Sequence, residues 1–239
     1  MFIEADMHIH TVASTHAYST VFENAVSAKK AGLKAIAITD HGPAIQDGAH
    51  IYHFFNMDII DRYIDGVLVF KGAEANIINQ KGGVDIPENI LKKLEFVIAS
   101  FHASSYDGKG EKDVTTAIEG MLENPYIDCF GHPGNENYPF DMEKIIPLFK
   151  KYNKLIEINA NSFNLRKSSI ENCRKIAGLC KKHGVQVCVN SDAHYHTRVG
   201  ELEKPLNILD ELDMPESLII NSSLEGIKDF IEKKRGVSF

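Results

Sequence analysis

Phe2-Ile3-Glu4-Ala5-Asp6-Met7-His8-Ile9-His10 opens the chain, and Ser14-Thr15-His16 follows closely. The first stretch is mostly apolar and reads as a buried strand. Side chains two apart on a strand share a face, so His8 and His10 project together at its C-terminal end. Neutral imidazoles presented as a pair begin many sites for zinc, iron, nickel or copper. His-x-His alone is a weak motif, and its weight comes from what the rest of the chain adds.

Further strands end in similar residues. Residues 33–39 read as a strand closed by Asp40-His41, and 66–72 as one followed by Glu74. Residues 96–99 lead to His102, and 127–130 lead to His132. Residues 155–158 have Glu157, Asn159 and Asn161 around their end, and 185–189 precede Ser191-Asp192-Ala193-His194. Helical segments separate them. Thr20-x-x-Glu23 is a capping box, and Gly32 closes the helix it opens. Residues 112–123 are helical, and Asp141 caps a helix that Pro147 is placed to kink. Ser168-x-x-Glu171 and Ser222-x-x-Glu225 open two more. Residues 42–65, with His50 and His53, form a long connection with a short helix near 57–63, and such connections are often functional.

Strands alternating with helices imply right-handed βαβ units and a parallel sheet. In an open sheet the strand ends form a line, and residues on the outer strands cannot converge. In a barrel they form a ring. His8, His10, His41, Glu74, His102, His132, Asp192 and His194 sit at or just past strand ends. The expectation is an α/β fold, a single barrel domain over residues 1–239, with its site at the C-terminal ends of the strands.

Composition narrows the function. The chain has 239 residues, a net charge of −7 and 44% hydrophobic residues, ordinary for a globular protein. It carries no run of Lys and Arg to track a nucleic-acid backbone, which weighs against that partner. No apolar run reaches the length of a transmembrane helix, and the start does not read as a signal peptide. Cys129, Cys173, Cys180 and Cys188 show no Cys-x-x-Cys spacing and read as free thiols of a cytoplasmic protein.

With His16, the ring holds seven histidines and two carboxylates. A tetrahedral ion with one open position needs three protein ligands, so this many groups suggest two or three ions. Three divalent ions bring about +6 of charge and two carboxylates remove about 2. The remainder, about +4, calls for hydroxide, other water-derived ligands or an anionic substrate, and phosphate suits it.

The segments Asp6-Met7-His8-Ile9-His10, Ser14-Thr15-His16, Ile38-Thr39-Asp40-His41, Gly72-Ala73-Glu74-Ala75-Asn76, Phe101-His102, Gly131-His132-Pro133-Gly134-Asn135 and Asn190-Ser191-Asp192-Ala193-His194 carry a resemblance. In this order they resemble the PHP family, named for polymerase and histidinol phosphatase, and most of all its small stand-alone phosphatases of the YcdX type. The likeness covers nearly the whole chain. It implies a distorted (β/α)7 TIM-like barrel and a trinuclear metal cluster, usually zinc, with manganese or iron in some members. By position it implies one metal at His8, His10, Glu74 and Asp192. A second would share Glu74 with His102 and His132, and a third would take His16, His41 and His194. The activity implied is a metal-dependent phosphomonoesterase acting on a small phosphorylated substrate. A histidinol-phosphate phosphatase, a phosphodiesterase or nuclease, and a non-catalytic metal-binding or regulatory protein are the alternatives.

Other residues have two readings. Asp192 and His194 are candidates for proton transfer. Arg166 follows the strand end that supplies no ligand, and its guanidinium suits a phosphate clamp; a solvated helix start is the plain reading. Lys167 shares that choice. His53 and His50 are candidates for substrate contact or for packing. His183 reads as a helix-end cation, and His196, two past His194, is an alternative to it as a ligand.

Overall fold

The apolar segments form eight strands: β1 (Ala5–Ile9), β2 (Ala35–Ile38), β3 (Tyr63–Ile64), β4 (Val67–Asn76), β5 (Phe96–Ser100), β6 (Cys129–Phe130), β7 (Leu155–Asn159) and β8 (Val187–Asn190). The structure, a computed structural model, describes residues 1–165 and 169–239. Arg166, Lys167 and the expected cap Ser168 lie outside the described residues.

Seven of the strands run parallel in the order β1-β2-β4-β5-β6-β7-β8, and β3 pairs antiparallel with β4. The ring nearly closes. Ile9 bridges Ala193, and the His10 amide donates to the Ala193 carbonyl at 2.9 Å. Lower in the seam between β1 and β8, one side chain takes over. Asn221 Nδ2 donates to the carbonyls of Ala5 and Val189, each at 2.7 Å, and its Oδ1 accepts from the Val189 amide at 3.0 Å. A carboxamide offers the donor and acceptor of a peptide group, so it can satisfy backbone that no eighth parallel strand reaches. The result is a distorted TIM-like barrel.

Its helices are α1 (Val21–Lys30), α2 (Ile51–Phe55), α3 (Glu88–Leu91), α4 (Glu111–Glu123), α5 (Met142–Lys151), α6 (Ser162–Leu165), α7 (Ser169–His183), α8 (Glu203–Glu211) and α9 (Leu224–Arg235). One apolar cluster lies between strands and helices. A second fills the lower barrel with Ala5, Ala35, Leu68, Phe70, Phe96 and Ile98, and Ile227, Phe230 and Ile231 of α9 plug it from below. No helix among the described residues is long and apolar enough to cross a membrane.

Local chemistry accounts for agreements and departures. The Thr20 capping box forms, and Asp141 accepts from the Lys144 amide at the start of α5, which continues through Pro147. The last helix is capped by Ser223, one residue beyond the expected Ser222, whose hydroxyl is turned back onto the Ile219 carbonyl. The helix expected near 57–63 is a 3₁₀ turn at Met57–Ile59, with α2 just before it. Asp65 and Gly66 have φ of 51° and 84°, the positive pair that a tight two-residue hairpin turn needs. They join β3 to β4, where the expected strand had begun at Gly66. β4 also runs past the expected end at Gly72 and carries Glu74 and Asn76 within it. At Gly72 a Cβ would collide with the Phe96 carbonyl oxygen, so the close approach of β4 and β5 requires glycine.

Candidate metal centre

The structure brings all nine of the expected histidines and carboxylates to the C-terminal mouth of the barrel. Glu74, fully buried on β4, is the hub. Its Oε2 lies 3.4 Å from His8 Nε2, 3.7 Å from His10 Nε2 and 2.5 Å from His41 Nδ1. Its Oε1 lies 3.0 Å from His132 Nε2 and 3.6 Å from His102 Nε2. Asp192 Oδ1 approaches His10 Nε2 at 3.1 Å and His8 Nε2 at 3.6 Å. At the outer rim His194 Nε2 faces His16 Nε2 at 2.9 Å, and His41 stacks on His16 with ring centres 5.1 Å apart.

Two of these residues need unusual backbone. His132 has φ of 30° and Asp192 of 55°. A left-handed conformation at a non-glycine residue persists only where its surroundings hold it, and such residues gather at functional sites. At His132 the hold is the Glu157 carboxylate, which accepts from the His132 amide at 2.7 Å. Around Asp192, buried Asp6 accepts from the amides of Ser191 and Gly200.

Glu157 is the residue whose role the sequence left unassigned. It is fully buried on β7. One oxygen lies 2.7 Å from His8 Nδ1 and accepts from Asn190 Nδ2 at 2.8 Å; the other accepts from the His132 amide and from Asn159 Nδ2 at 3.0 Å. With His8 Nδ1–H donating to Glu157, the His8 Nε2 lone pair is turned to the centre. Glu157 also adds a third negative charge to the two counted above, lowering the excess to about +3. Asn76 plays a like part for His102, with Oδ1 2.6 Å from Nδ1. Asn159 and Asn161 donate to Asp192 Oδ2, at 3.2 and 3.5 Å.

Among the described residues, buried atoms left without a well-formed hydrogen bond include His8 Nε2, His10 Nδ1 and the close pair His41 Nδ1 and Glu74 Oε2. Buried polar atoms rarely stay unmatched. Four of them in one cluster of imidazoles and a carboxylate form the donor set that a transition-metal ion fits. The electrostatics divide the set. Burial, with His194 and His41 beside it, pushes His10 well below the usual histidine range. Burial and the neighbouring His132 outweigh Glu74 and push His102 down to about 3. Both rings are therefore neutral, with a lone pair to offer. Burial opposes the charge on Glu74, yet His41 and His8 hold its carboxyl well below the usual range, and the carboxylates in turn raise His8 and His41, whose protons a bound ion would have to displace.

Other expected residues go elsewhere. His53 Nε2 sits 3.0 Å from Asp40 Oδ2, and that buried carboxylate also accepts from Thr11 and Ser14. His50 caps α2 through the Tyr52 amide, and His196 Nδ1 lies 3.0 Å from Ser27 Oγ. His183 ends α7.

Comparison with known proteins agrees with this fold. The PHP domain family matches residues 6–161. A probable phosphatase of Acetivibrio thermocellus is 44% identical over 230 residues, covering 96% of this chain and 95% of the relative. One of Caldicellulosiruptor bescii is 45% identical over 232 residues, covering 97% of each. Among solved structures, histidinol phosphate phosphatase of Lactococcus lactis, in complex with zinc, L-histidinol and phosphate, superposes with a TM-score of 0.62 over 89% of this chain and 94% of that one. At 15% identity that likeness speaks for the fold alone. With its motifs, its barrel and these relatives in agreement, the chain belongs to the PHP domain family.

Proposed function

We propose that this chain, a metal-dependent phosphoesterase, hydrolyses phosphate monoesters of a small molecule at three divalent ions, with zinc the first candidate. The supporting observation is the convergence of His8, His10, His41, His102, His194 and Glu74, whose ligand atoms fall in overlapping groups of three within 4.8 Å of one another. His8, His10, Glu74 and Asp192 would hold one ion. The other oxygen of Glu74, with His102 and His132, would hold a second. His16, His41 and His194 would hold the third, with His41 also beside Glu74. Ions bound there supply charge to neutralise phosphate oxygens and to ionise water near neutral pH.

The protein's own part is positioning. Glu157 and Asn76 fix the rings of His8 and His102 before substrate arrives, so little reorganisation is left for the reaction. Asp192 and His194 border the open side and are placed to exchange a proton with water or with the leaving oxygen. The net charge of −7 and the small mouth favour a small ester over a polymer.

Elemental analysis of gently purified protein, paired with kinetics on matched aryl monoesters and diesters, tests the reading. The expected outcome is close to three ions per chain and faster monoester hydrolysis. One ion or fewer after reconstitution, or a clear diester preference, would sink it.

A further inference from the structure

Two cavities meet at Asn161, Asp192 and His194. The smaller, about 140 Å³, is walled by His16, His41, His102 and His132. It leaves room for little beyond ions and a phosphoryl group, so the esterified moiety must lie outside it. The larger, about 500 Å³, runs outward from His194 past Tyr18, Tyr195, Asn164, Arg198 and Glu201.

Among the described residues, the larger cavity is lined by polar groups, with Asp192 at its inner end and Arg198 paired to Glu201 at its outer one. Arg198 Nη1 is 2.7 Å from Glu201 Oε2, so the pair presents donors and acceptors with little net charge. Asn161 and Asn164 each offer an amide donor and a carbonyl acceptor. Lys204 reaches Asn164 Oδ1 from the far end. Tyr18 and Tyr195 stand at the mouth, 71% and 46% exposed, and the Tyr18 amide donates to the His194 carbonyl at 2.9 Å. Each phenol presents an apolar face and one hydroxyl.

From this lining we infer a leaving-group subsite for a neutral, hydroxyl-rich moiety, which makes the substrate a sugar or polyol monophosphate. Adjacent hydroxyls can donate and accept at once, as the amides and the Arg198–Glu201 pair require. An apolar aryl group would displace water from those groups and offer no hydrogen bond in return, so a site built to hydrogen-bond disfavours it. A carboxylate-bearing group would meet Glu201 and Asp192. The inference rests on the phosphomonoesterase reading.

The experiment uses the fully metallated protein. Ribose 5-phosphate and glucose 6-phosphate are compared with 4-nitrophenyl phosphate and 3-phosphoglycerate for KM, and a non-hydrolysable sugar phosphonate is compared with methylphosphonate by isothermal titration. The sugar compounds should bind at least about tenfold more tightly in each arm. Asn164→Ala and Tyr195→Ala should each shrink that advantage about fivefold or more. If phosphate is released but the sugar advantage is absent, or survives both substitutions, the subsite is wrong and the phosphatase reading stands. If no monoester yields phosphate, both fall.

Discussion

At the N-terminal end of the barrel, buried Asp128 lies between Arg235 and Lys234, the latter 2.8 Å from its Oδ1, and Oδ2 also accepts from the Val97 amide. Arg235 donates further to the carbonyls of Leu94 and Tyr126, and Lys154 to those of Asn124 and Ile127. At the C-terminal end, Glu74 lies among histidines, with His8 Nε2, His10 Nδ1 and His41 Nδ1 short of a well-formed hydrogen bond, on backbone bent into left-handed φ at His132 and Asp192. Both ends bury charge. The lower one sets one carboxylate and several carbonyls against three cations, which ties α9 under the strands. The upper one crowds imidazoles around two carboxylates, a donor set suited to a cation. The difference is the one that TIM barrels show generally, with stability at one face and chemistry at the other.

The sharpest break would come from the upper end. Glu74→Gln and Asp192→Asn should each lower kcat/KM about a thousandfold, the equivalent of several kcal/mol of charge stabilisation. His183→Ala, at a helix end, should stay within about twofold. Steady-state kinetics with metal content measured on the same samples decides it; equal activity in Asp192→Asn and His183→Ala would remove Asp192 from the site.

At the lower end Asp128→Ala should behave in the opposite way. It strands two buried cations, an effect of about 3–5 kcal/mol on stability. Urea unfolding should show that loss, while kcat/KM of the folded enzyme stays near wild type. A matching fall in activity would mean the two ends are not independent.

Glu157→Gln probes the layer between them. It keeps the shape of the side chain but weakens its hold on His8, and metal affinity should drop about ten- to a hundredfold. Competition against a graded series of chelators would measure this without any assay of turnover. Unchanged affinity would demote Glu157 to packing.

The smallest effect concerns pH. Burial, with Lys234 and Arg235 nearby, lowers Lys154 to about 7 from the usual 10.5. Between those values the unfolded chain binds more protons than the folded one, so Lys154 contributes rising stability as pH climbs from about 7 toward about 10. Below about 7 both states are protonated, and the penalty for the buried charge is fully present. Urea midpoints measured across this range should climb, and Lys154→Met should flatten the climb and raise the value at low pH. An equal climb in the variant would assign it to other groups.

What could be read from the chain beforehand followed from spacing. His8 and His10 share a face because strands repeat every two residues, and later strand ends repeat the chemistry, so the barrel and the ring of side chains were both legible. Glu157 was not, because a carboxylate inside a strand has no motif; only the fold shows that His8, His132 and Asn190 meet it. The Asp65-Gly66 turn did carry a signal, since that pair favours tight hairpins, but an adjacent strand one turn long gave little periodicity to flank it. Ser222 and Ser223 are both good caps by type. The extended backbone of Ser223, φ −133°, decided between them.

The seam closed by Asn221 separates the first strand from the last. His8 and His10 stand on one lip, Asp192 and His194 on the other, and His10 meets Asp192 across 182 residues of chain. An ion held between them would therefore act as a clasp as well as a reagent, fastening the two termini of the barrel at the top while the carboxamide fastens them below. Loading the site and closing the ring would then be one equilibrium, and the amides of β1 and β8 would exchange with solvent more slowly when the clasp is shut.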